Sequence, residues 1–420
     1  MQAERGRRLD RAFGSLATSL EPRERAFAHE LAYGATRLRG RLDHLLGLHL
    51  HRPPRELDPW LLEILRLGTY QLLYMDSVPV YAAVAQSVEQ CRDVVGAAPT
   101  GLVNAVLRKV ADTGAGPDRF PSPQDDPAGF LASWGSHPRW LVERWLSRWS
   151  AAEVAALVDA DNTRPAVNLV PLDMDPVAAA TRLVESGIAA EPVGAGTRCV
   201  RLSSGALVAE ALAVLGAAVV QDPAANLVSS YADVPLGSLL VDLCAAPGGK
   251  VLAVSDRPAY TLVADRSESR MGMVMDNIRR AGRRIDCVVA DARRPPVRSA
   301  DVVLLDVPCS GTGTLARHPD ARWRLEEASI HELAELQREM LDAATIVLRV
   351  GGLLTYSTCT LEPEENERQI ERFLASHEDF RIEPTASVPA RYLDALGYLR
   401  IVPGAEGFDG AFAARLRKVA

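Results

Sequence analysis

Short apolar runs that end at a polar residue recur through the second half of the chain. Segments with helical spacing of apolar residues, such as 267–281 and 330–348, lie between them. Strands that alternate with helices predict a parallel, doubly wound α/β sheet. The runs and the polar residues that follow them are 239–241 before Asp242, 261–264 before Asp265, 288–290 before Asp291, 302–305 before Asp306, and 353–357 before Thr358 and Cys359.

The polar residues at the ends of these strands are expected to share one location. In a doubly wound sheet the carboxyl ends of the strands meet along one edge, where ligands bind. We therefore expect Asp242, Asp265, Asp291, Asp306 and Cys359 to line one crevice, although more than a hundred residues separate the first from the last. Packing alone does not require four carboxylates and a thiol at this edge.

The first half of the chain predicts two other kinds of structure. Residues 1–112 have helical spacing throughout, with helices expected at 25–46, from Pro59, at 81–95 and at 101–110. Residues 112–127 are rich in Gly, Pro and Asp, as a linker would be, and helical spacing resumes at 138–157. The order strand, helix, strand, strand, helix, strand over 166–221 is ferredoxin-like. The predicted divisions are 1–127 (helical), 128–165 (helical linker), 166–221 (ferredoxin-like) and 222–420 (sheet), with a closing edge strand at 411–419.

Composition limits the classes of function. The 420 residues are 48% hydrophobic and 24% charged, with a net charge of −7, so any contact with nucleic acid requires a local basic patch. We expect a monomeric cytoplasmic protein, because the sequence shows no membrane span, signal peptide or zinc-ligand spacing and its six cysteines are scattered. The candidate patch consists of Arg5, Arg7, Arg8, Arg37, Arg39 and Arg41, with a solvated helix surface as the alternative.

Two cysteines and one lysine are candidates for chemistry. Cys309 lies in Asp306-Val307-Pro308-Cys309-Ser310-Gly311-Thr312-Gly313, and Cys359 lies in Tyr356-Ser357-Thr358-Cys359-Thr360, each immediately after a predicted strand. A thiolate becomes a strong nucleophile when a nearby cation lowers its pKa. Lys250, one of only three lysines, follows the turn Pro247-Gly248-Gly249, where a backbone can approach a nucleotide-like ligand closely. Cys91, Cys199 and Cys287 lack such a setting and are expected to be structural.

Three motifs in this order, DLCAAPGGK, DVPCSGTG and YSTCT, resemble those of the RNA 5-methylcytosine methyltransferases that use S-adenosylmethionine. The N-terminal segments LAYGATRLRGRLDHLL, LDPWLLEILRLGTYQLLY and GLVNAVLRKV resemble the NusB-like RNA-binding domain of one branch, the ribosomal RNA small subunit methyltransferase B family. The resemblance implies a Rossmann-like methyltransferase domain. It also implies methylation of a cytosine in 16S rRNA.

The resemblance also assigns roles to individual residues. Asp265 would accept hydrogen bonds from the cofactor's ribose, Asp291 would lie by its adenine amino group, and Asp306 would lie between cofactor and target base. Cys359 would be the nucleophile, and Cys309 would assist release. Lys250 would help to hold this arrangement. The residues that would wrap the methionine and ribose part are Cys244, Ala245, Ala246, Pro247, Gly248, Gly249 and Lys250.

The chemistry explains why these groups are needed. C5 of cytosine is a weak nucleophile until a thiolate adds to C6, and Asp306 could stabilise the charge that develops on the base. The base must also leave its stack, which favours an unpaired or looped RNA. Three alternatives remain: the same chemistry on tRNA, Cys309 as nucleophile in the manner of DNA cytosine methyltransferases, and a non-catalytic NusB-like RNA-binding factor.

Overall fold

The computed structural model describes residues 8–420, and this part of the chain forms two compact units. One unit extends to Arg164 and also includes Leu315–Leu325. The other comprises Pro165–Thr314 and Glu326–Ala420. Within the described residues, no helix combines the length and apolar character that crossing a bilayer would need.

The first unit is helical, as its apolar spacing predicts. The expected helix at 25–46 is divided into two, because Leu38 leaves helical geometry with φ −94° and ψ 15°. Asp58 caps the helix that begins at Pro59 by accepting hydrogen bonds from the backbone N–H groups of Trp60 and Leu61. The helices are α1 (Leu9–Leu16), α2 (Pro22–Arg37), α3 (Arg39–Gly47), α4 (Pro59–Tyr74), α5 (Val80–Val94), α6 (Thr100–Thr113), α7 (Pro127–Ser133), α8 (Arg139–Leu146) and α9 (Ala151–Asn162).

The segment Leu315–Leu325 is distant in sequence from the rest of the first unit and is held there by a buried arginine. The Arg322 side chain is fully buried and donates hydrogen bonds to the backbone oxygens of Ser136 and Asp161, each at 3.0 Å, and to Asn162 Oδ1 at 2.9 Å. Burial lowers the pKa of Arg322 to about 10. No sequence pattern predicts this placement, since an isolated arginine is usually a surface residue.

The expected RNA-facing arginine patch is wrong for two of its members. Arg37 is only 9% exposed and donates a hydrogen bond to the backbone oxygen of Ala316. Arg41 Nε donates to the Trp134 backbone oxygen at 2.7 Å, and its guanidinium lies 3.8 Å from the Trp134 ring centroid. Both side chains therefore stabilise the unit itself. Of the others, Arg39 lies over Trp323, Arg8 pairs with Asp10, and Arg5 and Arg7 are outside the described residues.

The second unit begins with the expected ferredoxin-like arrangement. Its four strands form an antiparallel sheet in the order β2-β3-β1-β4. Leu169, Val200 and Ala218 are buried in a core shared with the two helices. The elements are β1 (Val167–Pro171), α10 (Pro176–Glu185), β2 (Ala190–Pro192), β3 (Val200–Leu202), α11 (Val208–Leu215) and β4 (Ala218–Val220).

A larger sheet follows, with strand order β10-β12-β9-β8-β5-β6-β7 and β11 paired to β12. Five adjacent strands, from β9 to the edge strand β7, are parallel, as predicted. The expected edge strand at 411–419 is wrong: β12 pairs with β9 on one side and with β10 and β11 on the other. Its pattern does not alternate because six consecutive residues are buried. The elements are α12 (Pro223–Tyr231), β5 (Leu239–Asp242), α13 (Gly249–Ala253), β6 (Tyr260–Asp265), α14 (Glu268–Arg280), β7 (Asp286–Val289), β8 (Ala300–Asp306), α15 (Ala321–Arg324, in the first unit), α16 (Glu327–Val347), β9 (Leu348–Thr358), α17 (Glu367–Ser376), β10 (Phe380–Ile382), β11 (Leu399–Ile401) and β12 (Ala411–Lys418).

Strand register places the polar residues at one edge of this sheet. Asp242 is level with Val263 of β6 and Leu304 of β8, so the ends of three parallel strands lie side by side. Asp306 is level with Ser357 of β9, two residues before Cys359. The apolar runs form two buried clusters, one on each face of the sheet. The ends of β5, β6, β8 and β9, from here on called the rim, are thus the part of the sheet where polar side chains can collect.

Candidate active site

The turn between β5 and α13 forms one side of the rim. Gly248 has φ +99°, a left-handed conformation that favours glycine. A Cβ added to Gly249 would lie 3.4 Å from Nε2 of Gln221, a buried atom that has no hydrogen-bond partner in the structure. The turn is also tied to α14, because Asn277 Nδ2 donates to the Pro247 backbone oxygen at 2.9 Å. At the end of β5 the turn therefore presents its backbone, since Gly248 and Gly249 have no side chains.

Asp265, at the end of β6, is almost fully buried and braces this turn. Its Oδ2 accepts a hydrogen bond from the Ala246 backbone N–H at 3.3 Å, and its Oδ1 accepts one from the Ser267 N–H at 2.9 Å. Arg270 lies 3.5 Å from Oδ2 and donates to the Ala246 backbone oxygen. The carboxylate is therefore held in one orientation beside the glycine turn.

Asp242, at the end of β5, is a buried carboxyl group in an electronegative environment. It is 1% exposed, and its Oδ1 accepts a hydrogen bond from the Cys244 N–H at 3.1 Å. Burial raises the pKa of Asp242 to about 7, and the negative charges of Asp306 and Asp265 add to this effect, while Lys250 and the Cys244 hydrogen bond oppose it. Near neutral pH this group can gain or lose a proton.

This perturbed carboxyl predicts a pH-dependent stability. The neutral form stabilises the fold fully below the unfolded pKa near 4, and this contribution is lost as pH rises through the folded pKa of about 7. Asp242→Asn keeps the acceptor for Cys244 without the charge. We expect the variant's gain in unfolding free energy to grow with pH, by on the order of 3 kcal/mol between pH 5 and pH 8. Urea denaturation across this range measures the gain, and parallel pH profiles for the two proteins would contradict the assignment.

Lys250 and Asp306 form an ion pair at the centre of the rim. Lys250 Nζ lies 2.7 Å from Asp306 Oδ2, and Ser357 Oγ donates to Asp306 Oδ1 at 2.8 Å. Burial alone would lower the pKa of Lys250, but the charge and hydrogen bond of Asp306 outweigh it, so the pKa is raised. Both side chains remain partly exposed, at 23% and 32%, so the pair can reach a ligand.

Cys309 and Cys359 lie in contact although fifty residues separate them. Their Sγ atoms are 3.4 Å apart, and the Cys359 backbone N–H points to Cys309 Sγ at the same distance. The hydrogen bond with Cys359 and burial raise the pKa of Cys309 well above its usual value. The Cys359 sulfur interacts electrostatically with Lys250 and contributes to the raised pKa of that lysine. The site thus contains a thiol that keeps its proton and, in contact with it, a second sulfur that interacts with an ammonium group.

Backbone contacts between loops keep the two cysteines together. The Gly313 N–H donates to the Cys359 backbone oxygen at 3.0 Å, and the Gly410 N–H donates to the Gly313 oxygen at 2.6 Å. A Cβ on Gly313 would lie 2.8 Å from both the Cys359 oxygen and Gly410 Cα. Only glycine fits at this position.

Asp291 follows β7 and is bound by a neighbouring arginine. Its carboxylate accepts hydrogen bonds from Arg293 Nε at 3.1 Å and Nη2 at 2.8 Å, and from the Arg293 backbone N–H at 2.9 Å. The Arg293 hydrogen bonds lower the pKa of Asp291 to about 2. Any ligand that Asp291 binds must therefore share this carboxylate with Arg293.

Sequence reasoning missed two polar contributors to the site. Ser357 belongs to the predicted apolar run 353–357, yet its hydroxyl orients Asp306. Glu365 lies in an acidic run that would ordinarily be solvated, yet it is fully buried and binds the residue after Cys309. The acidic run Glu362-Pro363-Glu364-Glu365 directly after the cysteine motif was the available signal.

The residues at this rim fit a nucleoside-containing methyl donor. The glycine turn exposes backbone, Gln221 directs an unpartnered amide nitrogen at it, and two carboxylates end the adjacent strands. The sheet order, with antiparallel β12 inserted beside a parallel core, and this rim are those of a Rossmann-like methyltransferase, a class that uses S-adenosylmethionine.

Comparisons with known proteins assign the family. The model described as 16S rRNA methyltransferase RsmB/F matches residues 235–417, the NusB family model matches 2–112, and the ferredoxin-like domain model of RsmF/B-like methyltransferases matches 137–209. The chain belongs to the ribosomal RNA small subunit methyltransferase B family.

Individual relatives match over nearly the full length. The probable ribosomal RNA small subunit methyltransferase B of Synechocystis sp. is 34% identical over 95% of this chain and 92% of its own. The ribosomal RNA small subunit methyltransferase B of Vibrio cholerae is 32% identical over 98% of this chain and 94% of its own. The crystal structure of PH0851 superposes with a TM-score of 0.79 at 26% identity, covering 97% of this chain and 93% of that one.

Proposed function

We propose that this rRNA methyltransferase modifies C5 of a cytosine through a covalent bond between Cys359 and C6 of the base. The observation that carries the proposal is the pair of sulfur atoms 3.4 Å apart, next to the ion pair of Lys250 and Asp306. Methylation of an exocyclic amine or a ribose hydroxyl requires no thiol. Methylation at C5 does, because the carbon must first be activated.

Each group at the rim has a step to perform. The Cys359 thiolate bonds to C6 and moves the electrons of the C5–C6 double bond toward the N3 side of the ring. Asp306 faces this edge of the base, and Lys250 holds the Asp306 carboxyl group in place. The activated C5 can then accept a methyl group, and S-adenosylmethionine supplies that group in electrophilic form when it is bound.

Release of the methylated RNA requires that the bond between Cys359 and C6 breaks again. The C5 proton passes to a base, the double bond re-forms, and the electron pair of the C6–S bond returns to Cys359. Cys309 keeps its proton, as its raised pKa requires, and lies 3.4 Å from Cys359 Sγ. Its S–H group can hydrogen-bond the departing sulfur and so assist the elimination.

The glycine turn and the strand ends are proposed to hold the methyl donor. Residues Cys244, Ala245, Ala246, Pro247, Gly248 and Gly249 would surround the methionine and ribose part, with Asp265 binding the ribose hydroxyls. Asp291 would bind the adenine amino group together with its Arg293 partner. Asp306 would lie beside the donor and the target base, and Lys250 would help to hold it there.

The proposed substrate is an unpaired or looped cytosine of 16S rRNA, bound by a cytoplasmic monomer. The name of the matched family model specifies 16S rRNA, and the helical and ferredoxin-like parts match models found in such enzymes. A non-catalytic RNA-binding factor would have no use for this half-buried pair of thiols. Cys309 is the weaker candidate for nucleophile, because the YSTCT motif, which resembles the family's nucleophile motif, contains Cys359.

Trapping with Cys309→Ala tests this proposal. Incubation of the variant with S-adenosylmethionine and unmodified 16S rRNA transcript is expected to accumulate a protein–RNA adduct that survives denaturing electrophoresis. Bisulfite sequencing of RNA treated with the native enzyme locates the 5-methylcytosine, and a tRNA pool serves as the competing substrate. Cys287→Ala is the matched control: Cys287 is a half-buried cysteine on β7, and this variant should accumulate no adduct, like the native enzyme. An adduct with Cys359→Ala instead would exchange the roles of the two cysteines.

A further inference from the structure

A buried carboxylate binds the loop that carries Cys309. Glu365 has no solvent-exposed surface. Its Oε2 accepts a hydrogen bond from the Ser310 backbone N–H at 2.9 Å, and its Oε1 accepts one from the Ser310 hydroxyl. Ser310 directly follows Cys309, so this carboxylate fixes the backbone and side chain next to the thiol.

Gln337 binds the same loop from the other side of Cys309. Its Nε2 donates to the Pro308 backbone oxygen at 2.9 Å and to Glu365 Oε2 at 2.8 Å. Tyr356 donates from its hydroxyl to the Glu365 backbone oxygen at 2.6 Å. Both neighbours of Cys309 in the chain are thus bound to the carboxylate, directly or through one amide.

A chain of hydroxyl groups extends from this carboxylate to the Cys359 loop. Ser310 Oγ lies 2.6 Å from Oγ1 of Thr360, the residue after Cys359. Thr360 Oγ1 lies 2.9 Å from Thr312 Oγ1, which in turn donates to the buried Glu362 at 3.1 Å. Because Ser310 donates to Glu365 and Thr312 donates to Glu362, the single Thr360 proton can be donated to only one of these hydroxyl oxygens, and Ser310 Oγ is the nearer one. The residue after each cysteine is therefore part of one hydrogen-bonded network.

Simple packing would not favour this arrangement. Burying a carboxylate is costly unless several donors bind it, and an apolar core of the same shape would avoid that cost. Glu365 receives three hydrogen bonds from uncharged donors, and two come from a single residue next to a thiol. Carboxylates accept directional, charge-assisted hydrogen bonds, which fix the position of a loop more narrowly than apolar contact does.

We propose that Glu365 is a positioning residue that acts through Ser310 to hold Cys309 against Cys359 during release of the methylated RNA. This inference rests on the proposed function, in which Cys309 assists the elimination. Glu365 itself touches neither substrate nor reacting atoms. Its loss should therefore leave formation of the covalent bond largely intact and slow the breaking of that bond.

The test compares formation and release with the full-length enzyme, S-adenosylmethionine and 16S rRNA transcript. For Glu365→Gln we expect release of methylated RNA to slow on the order of tenfold, because a small displacement of a reacting group has effects of this size or larger. Single-turnover methyl transfer should change by less than about twofold. The denaturation-resistant adduct should accumulate as it does with Cys309→Ala. Glu364→Gln is the matched control, since its carboxylate pairs with Arg368.

Each outcome has a defined meaning. Equal slowing of methyl transfer and release, or no accumulation of adduct, would overturn the positioning role. If thermal unfolding shows that Glu365→Gln is not folded, Ser310→Ala replaces it as the test, since that change removes only one hydroxyl group. Ser310→Ala should accumulate the adduct. Ser310→Thr, which keeps the hydroxyl, should release methylated RNA at the native rate. If Cys309→Ala itself forms no adduct, the proposed function fails, and this inference fails with it. If Cys309→Ala accumulates adduct but Glu365→Gln does not, only the positioning role of Glu365 fails.

Discussion

Cys359→Ala is expected to abolish methyl transfer to RNA, with the single-turnover rate falling by at least about 10⁴-fold. Without the thiolate no bond forms at C6, and C5 of cytosine is too weak a nucleophile to take the methyl group. The binding surface is unaffected, because alanine fills most of the volume of a partly buried cysteine whose main contact is Cys309. Binding of S-adenosylmethionine, measured by calorimetry, should therefore change by less than about threefold.

The contrast with the other cysteines makes this result specific. Cys309→Ala should retain methyl transfer and trap the adduct, while Cys287→Ala should match the native enzyme. The Cys359→Ala, Cys309→Ala double variant should resemble Cys359→Ala, since no adduct can form that would need release. Substantial methyl transfer by Cys359→Ala would rule out Cys359 as the nucleophile.

The sheet and its rim could be predicted from the sequence because each strand is a local signal. Buried parallel strands have apolar residues on both faces, so the runs that end at Asp242, Asp265 and Asp306 are continuous and easily seen. Strand topology then brings their ends together without any information on side-chain contacts. The same reasoning placed Cys359 near Asp306, and their strands are adjacent in the structure.

The features that could not be predicted depend on long-range partners. Glu365 is buried because Ser310 and Gln337, distant in sequence, supply donors, whereas a glutamate in an acidic run is ordinarily solvated. Arg322 is buried because backbone oxygens from another part of the chain surround its guanidinium. β12 was taken for an edge strand because strand order cannot be read from a single run of residues. In each case the local sequence pattern is compatible both with the position expected from the sequence and with the position found in the structure.

The charge arrangement at the rim links these observations. Burial is the main cause of the raised pKa of Asp242, and the negative charges of Asp306 and Asp265 add to it. Two cations oppose this negative charge: Lys250 pairs with Asp306, and Arg270 lies 3.5 Å from Asp265. A neutral residue at position 250 would leave Asp306 with only the Ser357 hydroxyl as a hydrogen-bond donor among the contacts described above.

Asp306→Asn is expected to lower the single-turnover rate of methyl transfer by about 10²- to 10³-fold. The amide has the shape of the carboxyl group but cannot carry a proton to the base, so it stabilises less well the negative charge that thiolate addition places on the N3 side of the ring. It also leaves Lys250, whose Nζ is 2.7 Å from Oδ2, without its ionic partner in a partly buried position. Binding of S-adenosylmethionine should weaken far less than the rate falls, because Asp265 and the glycine turn are unchanged.

A double-mutant cycle of Asp306→Asn and Lys250→Met tests whether the two residues act as one unit or contribute to the rate independently. If Lys250 acts by holding Asp306, the double variant should be no slower than Asp306→Asn alone, because the lysine has nothing left to position. Asp301→Asn is the matched control: Asp301 lies on the same strand, in an ion pair with Arg349, and should leave the rate unchanged. Multiplied rate losses in the double variant would mean that Lys250 contacts the reacting groups itself. A native rate for Asp306→Asn would remove the carboxylate from the mechanism.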